Sequence, residues 1–177
     1  MGGGFTFIWG KTFRDLTGIS TVGTHARTVG SYFYGRASSV ASGLQEVHCW
    51  AATDFYRKVL GVPGKEVAAV PVDVLSAAFV STGSFNLELR ALDHAVNASG
   101  FLPVAATLNG SSSPVPEALV CAYNGLSVGL SSGNHGAGMS PATVDGPGRV
   151  KPEVVLHDRL VEHGRVPGAL LPPSQPL

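Results

Sequence analysis

Charge is scarce in this chain. Lys, Arg, Asp and Glu make up 14% of its 177 residues, and 12 basic residues are matched by 12 acidic ones. With no net charge and no basic patch there is nothing to neutralise phosphates, so no nucleic-acid partner is expected. A charge fraction this low also excludes a disordered polyelectrolyte. No apolar run reaches the length of about 18 residues that marks a membrane span. The opening MGGGFTFIWG has neither a positive n-region nor a long apolar stretch, so it does not read as a signal peptide, and the compartment stays open. Cysteine is rare too. Cys49 and Cys121 stand far apart and read as two buried thiols rather than a disulfide framework. His48, His94, His135, His157 and His163 lack ligand spacing with Cys, Asp or Glu, so no metal or other cofactor is expected. Gly133-Asn134-His135-Gly136 is glycine-rich but lacks the strand-then-helix setting of a phosphate loop, and nucleotide binding is not expected.

What is abundant is apolar residue, at 44%, broken up by 23 Gly and 12 Pro into short segments. That pattern predicts one globular domain with many loops. Thr24 to Tyr34 can form a helix. Gly43 to Ala52 alternates through Leu44, Val47 and Cys49 and reads as a strand. Val67 to Val80 is rich in Val and Ala. Asn86 can cap a helix whose Leu89, Leu92, Ala95 and Val96 form one stripe, stopped by Gly100. FLPVAATL, the run from Phe101 to Leu108, is a continuous apolar strand. Val115 to Tyr123 is a second helix candidate, and LSVGLSS is another buried strand. Helices alternating with apolar strands predict an α/β fold with a parallel sheet flanked by helices.

Sites in such sheets form at the carboxyl ends of strands. Asn109 leaves one such end beside Gly110, where its amide can donate to a developing oxyanion; a plain Asn-Gly turn is the alternative. His25 stands among small residues at the start of the first helix, where an imidazole can face a cleft.

In chain order these pieces resemble a subtilisin-like serine peptidase, in a divergent bacterial branch. His25-Ala26-Arg27-Thr28-Val29-Gly30-Ser31 is similar to the family's H-G-T-H-V-A-G. Ser39-Val40-Ala41-Ser42-Gly43-Leu44 resembles G-V-A-P-x-A-x-L. Ala105-Ala106-Thr107-Leu108-Asn109-Gly110 resembles A-A-G-N-x-G, and Tyr123 to Gly129 resembles I-x-V-G-A. Gly146 to Val155 resembles G-x-R-x-K-P-D-V-V-A-P-G. The resemblance implies an incomplete subtilisin-like sheet over residues 1–155, with His25 and Asn109 as its catalytic groups. It implies proteolysis of a polypeptide substrate by a Ser/His/Asp triad, with no cofactor. The acid of that triad is missing or displaced. Gly2-Gly3-Gly4 resembles the remnant of its turn, while Asp15 is the only acidic residue between Met1 and His25, in a setting that shows no buried strand ahead of it.

The family's G-T-S-M-A-x-P segment, which carries the nucleophile, does not follow Val155. The chain turns instead to His157, Asp158, Arg159, Glu162, His163 and Arg165, then to a Pro-rich tail, residues 156–177. Codons for Leu156 to Pro167 read one base later permit S-T-T-G-S-S-S-T-A-A-S-P, so a single-base frameshift or a sequencing error near Val155 is expected. Ser111, Ser112 and Ser113 follow Asn109 directly and would lie beside the oxyanion donor rather than across from it. The polypeptide as written is therefore expected to be an inactive protease, with apolar sheet edges left uncovered. The alternative is a non-enzymatic α/β binding or structural module.

Overall fold

The computed structural model describes residues 4–8, 11–18, 23–35, 39–61, 66–79, 86–112, 114–115, 118–136, 138, 142–143 and 149–157. The chain divides into two compact units, Met1–Ala51 with Arg159–Leu177, and Ala52–Asp158.

The first unit holds strands β1 (Gly4–Ile8), β2 (Lys11–Asp15) and β3 (Glu46–Cys49) and helix α1 (Thr24–Tyr34). The sheet order is β1-β2-β3. β1 runs antiparallel to β2, while β2 and β3 are parallel, in register from Thr12↔Glu46 to Asp15↔Cys49. Parallel neighbours need a crossover, and α1 lies in it. Along β2 the period-two pleat buries Lys11, Phe13 and Asp15 on one face. The Phe13 ring meets Tyr34 of α1 edge-on, with centroids 5.4 Å apart. Lys11 tolerates burial because its ammonium donates to the Ser42 and Leu44 carbonyls, the latter at 2.6 Å.

The second unit begins with α2 (Ala52–Asp54), which widens into a π-turn at Phe55–Val59. It continues with β4 (Val74–Ala77), α3 (Asn86–Ser99), β5 (Leu102–Ala106), β6 (Leu126–Leu130), β7 (Ala142–Thr143), β8 (Val150–Lys151) and β9 (Val154–Leu156). β4-β5-β6-β9 form a four-stranded, wholly parallel sheet, and β7 pairs with β8 antiparallel. This is an α/β fold. The predicted stripe on α3 holds: Leu92 and Ala95 are buried, and the helix ends before Gly100.

Two expectations fail. Ala118 to Cys121, inside the second expected helix, are turns, and Leu119 adopts a φ of 59°, a left-handed step that interrupts a right-handed helix. The segment Ala118 to Ala122 is nonetheless fully buried, which is why its composition reads as helix core. The expected buried strand through Val155 is β9, but β9 is a sheet edge and Val154, Val155 and Leu156 are all exposed.

Candidate functional site

In the first unit Asp15 closes β2 at its carboxyl end, and it is buried. The absence of a strand ahead of it is therefore overturned. KTFRD did not read as a strand because two of its residues on the inward face are charged, and Lys11 is satisfied only by carbonyls some thirty residues away. Asp15 Oδ1 accepts from both the N–H and the hydroxyl of Thr17, each at 2.9 Å, a side-chain turn that fixes the carboxylate. Thr17 Oγ1 in turn accepts from the Ala51 N–H at 3.1 Å. Opposite Asp15 in register is Cys49, whose thiol is pushed up by burial and then by the Asp15 charge. Burial, and secondarily Cys49, likewise raises the Tyr34 phenol.

His25 lies in the first turn of α1 and is exposed. Gly23 caps this helix without a side chain, and no acidic residue occupies its first turn. The structure thus gives β2, α1 and β3 the strand–helix–strand order in which a carboxylate ends the first strand and an imidazole opens the crossover helix.

Asn109 belongs to the second unit, just beyond the carboxyl end of β5. Thr107 ties that end to β6, its N–H and hydroxyl both donating to the Val128 carbonyl at 3.1 Å. Asn109 then forms an isolated antiparallel bridge with His135, and the Gly136 N–H donates to the Leu108 carbonyl at 2.5 Å. Gly110, at a φ of 94°, supplies the turn that a side chain would resist. Ser111 and Ser112 form an exposed turn next to it, and Ser113 lies outside the described residues.

The partner that the structure brings to Asn109 is therefore a histidine the sequence reading passed over. His135 is 4% exposed, and its Nδ1 accepts from the Leu130 N–H at 2.9 Å. Its Cε1–Nε2 edge lies over Gly129 of β6. A methyl at Gly129 would come within 2.8 Å of that edge and of the Pro152 ring, so only glycine fits there. The imidazole shares with Leu130, Pro152 and Val155 a cavity of about 170 Å³ at the carboxyl edge of the sheet. The signal was present: a lone histidine in a glycine-rich loop directly after the strand LSVGL.

A second, more open cleft of about 510 Å³ lies between Tyr123, Arg149, Val150, Pro152 and Glu153. The Arg149 guanidinium sits 3.7 Å above the Tyr123 ring and donates to the Cys121 carbonyl. Behind it the fully buried Lys151 ammonium donates to Glu153 Oε1 and to the Ala122 carbonyl at 3.3 Å. Glu153 Oε2 accepts from the Ser127 N–H at 2.7 Å and its hydroxyl at 2.5 Å. These groups are mutually satisfied, and the K-P-E-V-V run thereby pins β9 to β6.

Among the described residues no cluster of His, Cys, Asp and Glu could hold a metal ion, and no helix is long and apolar enough to cross a membrane. Residues 158–177, the expected frameshifted tail apart from Leu156 and His157, lie outside the described residues. No family model, curated protein or solved structure matches this chain.

Proposed function

We propose that the chain is a subtilisin-like serine peptidase domain without its nucleophile segment. In this reading His25 is the general base, Asn109 the oxyanion donor, and Asp15 the acid that orients the imidazole. One observation carries it. Asp15 closes a buried strand at its carboxyl end, and the helix that follows opens with His25, in the chain order of carboxylate, imidazole and carboxamide that the sequence motifs imply. Asn109, next to the carboxyl end of β5, stands where parallel sheets present reactive groups. Because no G-T-S-M-A-x-P segment follows Val155, the 177-residue polypeptide is expected not to turn over peptides.

The nucleotide sequence across Val155 to Pro167 and the product of its alternative frame test this reading. The 177-residue chain is expected to stay unlabelled by a fluorophosphonate, and the reframed chain to be labelled and to hydrolyse peptides. In the reframed chain His25→Ala should lower kcat by about 10⁶, the loss seen when the histidine of subtilisin is removed. Asn109→Ala should lower it by about 10²–10³. An alternative frame full of stop codons, or labelling indifferent to His25→Ala, removes the reading.

A second reading, a non-enzymatic α/β binding module, is favoured by the bridge between Asn109 and His135. That bridge places the carboxamide residue next to a different imidazole from the one the peptidase reading needs.

A further inference from the structure

The cavity beside His135 has chemistry that neither reading uses. It lies at the carboxyl end of β6, where Leu130 closes the strand, and Pro152 and Val155 supply apolar walls. Its polar side chains are the His135 imidazole and the Ser131 hydroxyl, and no Lys, Arg, Asp or Glu lines it among the described residues.

The imidazole is oriented with little freedom. Because Nδ1 accepts from the Leu130 N–H, the neutral ring carries its proton on Nε2. Nε2 makes no hydrogen bond to any described residue, although the side chain is 4% exposed. Nε2 is not among the buried side-chain atoms left without a partner, so it is open to the cavity's water, and a molecule that brings an acceptor can take that water's place. The acceptor is neutral. A carboxylate seated here would lose its water against a single neutral imidazole donor and a hydroxyl, with no cation to offset the desolvation. A cationic ligand would meet the positive edge of the N–H. The volume, about 170 Å³, is close to that of an apolar cavity of about 150 Å³ that accepts a benzene ring.

We propose that this cavity binds a small, ring-sized neutral carbonyl compound, its apolar body against Leu130, Pro152 and Val155 and its oxygen accepting from His135 Nε2–H. The proposal does not depend on peptide hydrolysis, since it invokes neither His25 nor a serine nucleophile.

The probe is cyclohexanone, titrated into the isotope-labelled full-length chain while the His135 ring and Leu130 amide signals are followed by NMR. Saturable shifts at both are expected, with a Kd of about 1 mM for a ligand of this size. Cyclohexanecarboxylate and cyclohexylammonium should bind at least about tenfold more weakly. The nitrogen shifts of His135 should report Nδ1 as the unprotonated atom before any ligand is added. Val155→Phe, at a position 54% exposed and so tolerant of a larger side chain, should fill the cavity and abolish the shifts. Equal affinity for the carboxylate overturns the ligand class, and an Nδ1–H tautomer overturns the donor. Absence of saturation at about 50 mM, or binding that survives Val155→Phe, overturns the site itself.

Discussion

In Met1–Ala51 the buried side chains among the described residues are Phe13 and three polar ones, Lys11, Asp15 and Ser39, while the second unit buries a long apolar series that includes Phe55, Leu92, Phe101 and Val120. Both units use parallel strands and a crossover helix, yet they are held by different forces. In the second, apolar area removed from water dominates, and polar groups such as Lys151 and Glu153 are fitted around it. In the first, one aromatic contact and a few carbonyl-bound side chains carry the inward face of β2, and α1 leaves Tyr32 and Phe33 exposed. On the side chains described, which exclude those of β1, the first unit is expected to open at lower cost than the second. A shared parallel strand–helix–strand crossover therefore says little about how firmly the side chains on it are held. Asp15 and His25 stand in the first unit and Asn109 in the second.

Removing the aromatic contact is the most severe way to break this contrast. Phe13→Ala should cost the first unit about 3–4 kcal/mol, the usual loss for a buried phenylalanine. Hydrogen exchange by NMR should then show amide protection lost along β2, β3 and α1 while β5 and β6 keep theirs. If both units lose protection together, they form one cooperative structure and the comparison fails.

The second unit should break by crowding instead. Gly129→Ala places a methyl within 2.8 Å of both the His135 ring and Pro152, and overpacking of that kind should cost about 2 kcal/mol in urea unfolding. Pairing it with His135→Ala removes one of the two obstacles and should recover about 1 kcal/mol. Strict additivity of the two changes would mean that the imidazole does not lie over this glycine.

The same contrast explains what could be read from the sequence. α3 was legible because Leu92 and Ala95 obey helical spacing with apolar side chains, and β5 and β6 because their apolar runs are continuous. α1 emerged with its bounds intact from the small-then-aromatic run between Thr24 and Tyr34. β2 was missed because hydrophobic patterning cannot recognise Lys11 and Asp15 as inward-facing residues. Their burial depends on the Ser42 and Leu44 carbonyls and on Thr17, and the first two lie far away in the chain. The segment Ala118 to Ala122 failed the opposite way: its burial was legible, but the positive φ at Leu119 was not. Neither ligand spacing nor phosphate-loop context distinguishes His135 from the other histidines. Its place in a glycine-rich loop after LSVGL is a local signal, but its strand pairing with Asn109 is one that no local pattern encodes.

The smallest expected effects come from two carboxylates, one in each unit, and they sharpen the comparison most. The Glu153 carboxyl is raised by partial burial, but hydrogen bonds from Lys151 and then Ser127 outweigh that and hold it below its ordinary value of 4.5. A depressed carboxyl contributes stability above its unfolded pKa and loses it as pH falls through the folded one. Glu153→Gln keeps one acceptor oxygen and should cost about 1 kcal/mol at neutral pH. That difference should shrink as the pH falls from 4.5 through the lower pKa of the folded carboxyl, below which the native side chain is protonated as well. In the first unit Glu46 is also held low, by hydrogen bonds from His48 and Arg14, but its side chain is exposed. Water and salt screen that cluster, so Glu46→Gln should leave the unfolding midpoint unchanged at either pH. Urea titrations of both variants in neutral and acidic buffer decide the matter. An acid-sensitive loss at Glu46 as large as that at Glu153 would show that polar anchoring is no weaker in the first unit than in the second.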